Sequence, residues 1–264
     1  MAIQSLNDYI AAAKQRVPFI KTAPRTTIAG MPFSVFDLAG NPGAGVLSAG
    51  NTANGIVPVA GQAGYPLLNT FGVGALGYVS GLLLNNTVVS TAFFFDRLWK
   101  AGAYVFNADV TLASQPNYDS RVPNLNYTGL EIWVEQVTAA TGNQAVNVTY
   151  TNQAGQTGRQ TGAVGIGAAP TIGRCFALPL QAGDTGVQRI ERVVGSVATA
   201  GTFNVMVLRN LAAGTIPAVG ISDIQDLLRT GLGQIYNTTA LYALVMATST
   251  SSGLPIAQIE VANA

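Results

Sequence analysis

Glu131 and Glu135 come nearest, by type and spacing, to a catalytic pair in this sequence. They lie in a run where Leu130, Ile132 and Val134 alternate with Glu131, Trp133 and Glu135. A period of two puts both carboxylates on one face of a strand, about 13–14 Å apart over four residues' rise. Paired carboxyls that hydrolyse glycosides stand roughly 5–9.5 Å apart, so these two do not form such a pair by themselves. With Trp133 between them they read as a strip meeting solvent or a partner.

Other chemistry falls to elimination. The chain has no histidine, which removes Ser-His-Asp and Cys-His nucleophilic sites, His-ligated zinc and His general bases. Its single cysteine, Cys175, forms no internal disulfide and no Cys-ligated cluster within one chain, and reads as a small buried hydrophobe. Gly72, Gly74 and Gly77 match G-x-G-x-x-G, with Asp96 downstream, but no clear strand precedes them and no helix follows. The N-x-[ST] triplets at Asn85, Asn126, Asn147 and Asn237 read as strand surface. The expectation is a protein without catalytic residues, metal or cofactor.

Charged residues make up only 9% of the chain, against about a quarter in ordinary domains. A surface so poor in charge is expected to be covered in part by other subunits. A net charge of +1 argues against general nucleic-acid binding. The charge is uneven, however: Lys14, Arg16, Lys21 and Arg25 face only Asp8 in the first 25 residues, and they are candidate partner-binding groups together with Glu131, Trp133 and Glu135. Residues 67–84 are uncharged but too rich in glycine for a membrane span. Residues 1–10 lack a basic region followed by an apolar run, so a soluble protein made in the cytoplasm of its host is expected.

The elements that would position these groups are mostly strands. Residues 129–159 read as two strands joined by a polar loop, with Gly142-Asn143 suited to a hairpin. Further strands are expected at 88–95, 104–112, 202–209 and 240–248, and at 187–197, where valines outweigh a helical spacing. A first helix is expected over 5–15, capped by Ser5 and ended by Pro18. A second is expected from a Ser222 cap with Gln225 completing a capping box, stopping at Gly231. Between them, residues 18–81 are dense in turn signals and read as an extended arm crossing a partner. The three phenylalanines 93–95 require both faces of their strand to be covered. The fold expected is all-β, a β-sandwich or jelly-roll-like body (81–264) with an N-terminal helix and arm (1–28), a Gly/Pro-rich extended segment (29–80) and two short helices.

Residues 78–104, 129–159 and 178–212 (YVSGLLLNNTVVSTAFFFDRLWKAGAY, GLEIWVEQVTAATGNQAVNVTYTNQAGQTGR and LPLQAGDTGVQRIERVVGSVATAGTFNVMVLRNLA) resemble structural proteins of tailed bacteriophages. The resemblance covers most of residues 76–212. It implies a non-enzymatic virion component attached to the head. A decoration or cement protein would bind the major capsid protein lattice from the capsid surface as a homo-oligomer, with a trimer favoured. A shell, tail or baseplate subunit, and a carbohydrate-binding host-attachment protein using Trp133 or Trp99, remain open. No functional residues carry over.

Overall fold

The structure is a computed structural model and describes residues 3–48, 50–73, 75–166 and 171–263. Its regular structure is almost all antiparallel strand, with α-helix only at Leu6–Ala11 and Leu227–Thr230 among the described residues. The fold is all-β, as the sequence predicts. The chain divides into two units. The first comprises Met1–Val46, Val59–Asp96 and Asn210–Ala264; the second comprises Leu47–Pro58 and Arg97–Arg209. The expected boundaries at 28 and 80 do not follow this packing.

In the first unit one sheet runs in the order Asp223–Gln225, Gly77–Asn85, Ile256–Asn263, Ala13–Lys21, Gly40–Asn41. Leu241–Ala247 belongs to a second layer, between Pro32–Ser34 and the first half of Ser90–Val105. Alternation decides what meets in the core: Val17, Phe19, Leu82, Leu84, Ile259 and Val261 pack with Phe94, Ala243 and Val245. Phe19 and Phe94 touch edge to face, with centroids 5.8 Å apart, a geometry worth about 1 kcal/mol beyond the area buried.

Residues 13–21 are therefore body rather than arm. Ala13 to Ile20 pair residue by residue with Asn263 to Ile256. The helix stops early, at Ala11, because Ala12 turns extended. Pro18 sits inside the following strand, tolerated because Gly40–Asn41, on the side away from Ile256–Asn263, pairs just with Ile20 and Lys21. The segment 29–80 also packs on its own chain. Phe33, Val35, Phe36, Tyr65, Leu68 and Phe71 are buried, and Phe36 contacts Tyr65 and Tyr242. Tyr242 is the register partner of Phe95, so the second face of the phenylalanine run is covered from within the chain.

In the second unit Gln144–Asn152 pairs with Val164–Ile166 and Val187–Gly195, and Asp109–Thr111 lies beyond. Leu130–Thr138 pairs instead with Cys175–Ala177 and with residues 202–209 of Thr202–Ile216. The run 130–152 is thus an arch between two sheets, not a hairpin. Each of its strands has one apolar face, and burying those faces against each other removes more apolar surface than setting the strands side by side. Ile132, Val134, Val146, Val148 and Tyr150 share one core with Ile190, Val193, Val205 and Val207.

The later helix also differs from expectation. Residues 223–225 pair as strand with Leu84, Leu83 and Leu82. Ser222 accepts a hydrogen bond from Asn85, and Asp226 is the cap, accepting from the amides of Leu228 and Arg229. Gly231 ends the helix at φ 64°, as expected.

Two predictions follow from these packings. Removing residues 1–28 unfolds the first unit, because it strips out Val17 and Phe19, each contributing about 1.5–3 kcal/mol of burial, together with their ladder. Removing residues 1–11, whose helix has no buried side chain, leaves the melting temperature nearly unchanged. Circular dichroism melts of the two truncations compare them directly. In the second unit the Asp184 carboxylate accepts from Arg159 Nε at 2.9 Å, Asn152 Nδ2 at 2.7 Å and the Tyr150 hydroxyl at 2.6 Å. The Arg159 hydrogen bond, against the effect of burial, holds its pKa down at about 2. A depressed carboxylate contributes stability that is complete above the ordinary value near 4 and is lost as pH falls towards 2. Asp184→Asn flattens that acid limb, as read from urea midpoints measured between pH 2 and pH 6.

Candidate interaction surface

The structure splits the basic cluster that the sequence groups together. Alternation along Ala13–Lys21 turns Val17, Phe19 and Lys21 inward. Lys21 Nζ donates to the carbonyls of Leu38 and Pro42 at 3.0 and 2.9 Å. Burial pulls its pKa down to about 8, with Asp37 opposing. Arg25 is also buried and pairs with Asp37. Neither can meet a partner as expected, because each is occupied within its own unit. Lys14 and Arg16 are exposed. Lys14 Nζ donates to the Tyr9 carbonyl at 3.0 Å and lies 4.3 Å from the centre of the Tyr9 ring.

The acidic strip is shortened in the same way. Glu135 is fully buried, accepting from Asn204 Nδ2 at 2.8 Å and from Arg97 Nη2 at 3.4 Å. The strand's period of two places it on the face of Glu131 and Trp133, but the covering segment 47–58 is long-range and leaves no local mark. Glu131 and Trp133 stay half-buried, with the indole N–H donating to Glu131 Oε2 at 2.6 Å. Trp99 is fully buried and donates to the Asn54 carbonyl at 3.2 Å, so it offers no platform to a sugar. Cys175 is buried, as expected. The glycine motif at 72–77 includes Gly74, which lies outside the described residues; Gly77 opens a strand rather than a helix.

The feature that charge-based reading missed is apolar. In the first unit a groove of about 440 Å³ is lined by Ile3, Leu6 and Tyr9 from one side and Leu227, Leu228 and Leu232 from the other. Leu6 is 67% exposed, Ile10 65% and Leu228 82%. Helical spacing identifies Leu6 and Ile10 as an apolar stripe but does not say which way it faces; here it faces away from the unit's core. The helix is tethered by a polar contact, the Tyr9 hydroxyl donating to Glu260 Oε1 at 2.9 Å. Glu260 also accepts from Ser80 and lines a shallower pocket with Arg16 and Ile224, itself 68% exposed. The exposed Leu6, Ile10 and Leu228, with Asp226 also lining the groove, thus form a surface suited to an apolar partner. The second unit holds a polar pocket of about 270 Å³ lined by Gln115, Tyr118, Asp119, Tyr127 and Arg189 among others, in which Tyr127 donates to Asp119 at 2.7 Å.

Among the described residues no three His, Cys, Asp or Glu side chains are grouped to hold a metal ion. No helix there is long and apolar enough to cross a membrane. No protein-family model matches the chain, and no curated protein matches it. Among solved structures it aligns with a chain of the infectious bursal disease virus Gx strain over 96% of its length and 80% of that chain, at 11% identity and a TM-score of 0.16. Alignment with the Gt strain has the same coverage, 10% identity and a TM-score of 0.17. The VP2 subviral particle of that virus aligns at 8% identity and a TM-score of 0.13. TM-scores this low establish no shared fold and carry no weight for function.

A substitution tests the exposure of the groove. Leu6→Asp combined with Leu228→Asp leaves the melting temperature nearly unchanged, since surface changes away from the core move stability by about 0.5 kcal/mol or less. The same variant binds less of an apolar dye such as ANS. A large fall in melting temperature would place these leucines in the core.

Proposed function

We propose that this chain is a non-enzymatic structural protein of a tailed-bacteriophage virion, a decoration or cement protein that binds the assembled lattice of the major capsid protein and stabilises it. The observation carrying this reading is the apolar groove at Leu6 and Leu228, with the exposed Ile10 on the same helix. A short helix whose apolar stripe faces out is marginal in water and gains its burial from a neighbour. The resemblance of residues 76–212 to phage structural proteins supplies the kind of neighbour. Subunits that bind only the assembled shell shift the equilibrium towards that shell by mass action. A homo-oligomer, a trimer in this reading, engages several lattice sites at once and gains avidity.

Co-sedimentation with purified empty heads tests the proposal. The wild-type protein pellets with heads and raises their resistance to heat, whereas the Leu6→Asp/Leu228→Asp variant stays in the supernatant. If the wild type fails to bind heads but assembles with tails or with itself into shells, the chain belongs to another part of the virion. A second reading, host-glycan attachment, draws support from half-buried Trp133 beside Glu131 and from the polar pocket at Asp119. On a glycan array it requires a signal that Trp133→Ala or Asp119→Ala abolishes.

A further inference from the structure

In the second unit two side chains from neighbouring strands converge on one backbone oxygen, and a third, from the strand beyond, accepts from one of them. Lys100 lies on Ser90–Val105, Asn204 on Thr202–Ile216 and Glu135 on Leu130–Thr138, strands that are consecutive in sheet order. Glu135 and Asn204 are register partners. Lys100 is 2% exposed; Glu135 and Asn204 are fully buried. Lys100 Nζ donates to the Leu47 carbonyl at 2.7 Å, and Asn204 Nδ2 donates to the same oxygen at 2.9 Å. The amine and the amide are therefore held against each other by a shared acceptor. Asn204 Nδ2 also donates to Glu135 Oε2 at 2.8 Å.

These two acceptors fix the orientation of the amide, because a flipped Asn204 would aim its oxygen at a carbonyl and a carboxylate. The orientation leaves Asn204 Oδ1 buried without a hydrogen-bond partner. It lies over Gly102, where a β-carbon would stand 2.1 Å from it. Other cations lie close by: Arg97 donates to Glu135, and Arg121, equally buried, donates to the carbonyls of Arg97 and Leu98.

A buried amine, a primary amide and a carboxylate form the set of groups that amide exchange requires: nucleophile, electrophile with ammonia as leaving group, and proton carrier. We propose that Lys100 and Asn204 become joined by an intramolecular isopeptide bond, with Glu135 moving the protons. Glu135 takes one proton from the Lys100 ammonium, and the freed amine bonds to Asn204 Cγ. Glu135 delivers that proton to Nδ2 and accepts a second from the new C–N linkage as the Cγ–Nδ2 bond breaks. The departing ammonia then takes the second proton and leaves as ammonium. No oxidant, reductant or added reactant is needed. The reaction replaces a buried ammonium and a primary amide with a neutral secondary amide, which removes a charge from the interior. Burial, followed by the charge of Arg97, already lowers the lysine pKa to about 8, so free amine is present near neutral pH.

Peptide mapping of the full-length folded protein by mass spectrometry, after incubation above pH 8, tests this. The expected result is a missed tryptic cleavage at Lys100 and a branched peptide joining the segments that carry Lys100 and Asn204, lighter than their sum by one ammonia. Glu135→Gln, confirmed folded by circular dichroism, yields the two linear peptides instead. Should that variant fail to fold, the wild-type map decides alone. Recovery of Lys100 and Asn204 in separate, unmodified peptides from folded wild-type protein overturns the proposal. A branched peptide that persists in folded Glu135→Gln overturns the role given to Glu135.

Discussion

The constraint from which most of the structure follows is that the two longest strands, Ser90–Val105 and Thr202–Ile216, are buried along most of their length. One face of each serves the apolar cores, and the other must also be taken from water. At Trp99, Lys100, Tyr104 and Asn204 that covering comes from residues 47–56, part of the segment 29–80, whose glycines let backbone lie directly against rings. At Gly55, with φ of 71°, a β-carbon would stand 2.2 Å from the Trp99 indole; at Gly64, with φ of 88°, it would stand 2.2 Å from Phe36. Such a segment is glycine-rich because it is a close-fitting lid, not because it is a tether.

The same burial changes the meaning of the low charge content. Lys21, Arg25, Asp96, Arg97, Lys100, Arg121 and Glu135 are all buried. Much of a small complement of charge is thus used inside, where each charge needs a partner or a carbonyl to offset its lost hydration. The outer surface is poorer in charge than composition alone implies.

The sequence made the all-β class legible, along with most strand positions, because a period of two needs only local information. Leu130, Ile132 and Val134 announce a strand wherever their partners lie. Pairing was not legible. Whether 130–138 and 144–152 lie side by side or face each other depends on which other strands flank them, and both arrangements satisfy the same alternation. Ala13–Lys21 was hidden for a related reason: Pro18 and a basic outer face mimic the end of a helix, and only pairing with residues some 240 positions away makes them a strand. At the candidate surface the residue types were legible but their orientation was not. Glu135 obeys the predicted alternation, and what reversed its role was a covering layer that arrives from distant sequence; Lys21 turns inward because the stretch read as an arm is a strand.

The pairing of Ala13–Lys21 with Ile256–Asn263 sets an order of events during synthesis. Residues 97–209 carry nearly all of the second unit and emerge as one block, so its core can close while later residues are still being made. The first unit cannot close then: its early strand waits without its neighbour until residues 256–263 have left the ribosome. An unpaired strand edge is a template for misassembly throughout that interval. Pro18, which withholds an amide, and the charges of Lys14 and Arg16 make this edge a poor template. The residues that read as the end of a helix are, on this view, what keeps nascent chains apart.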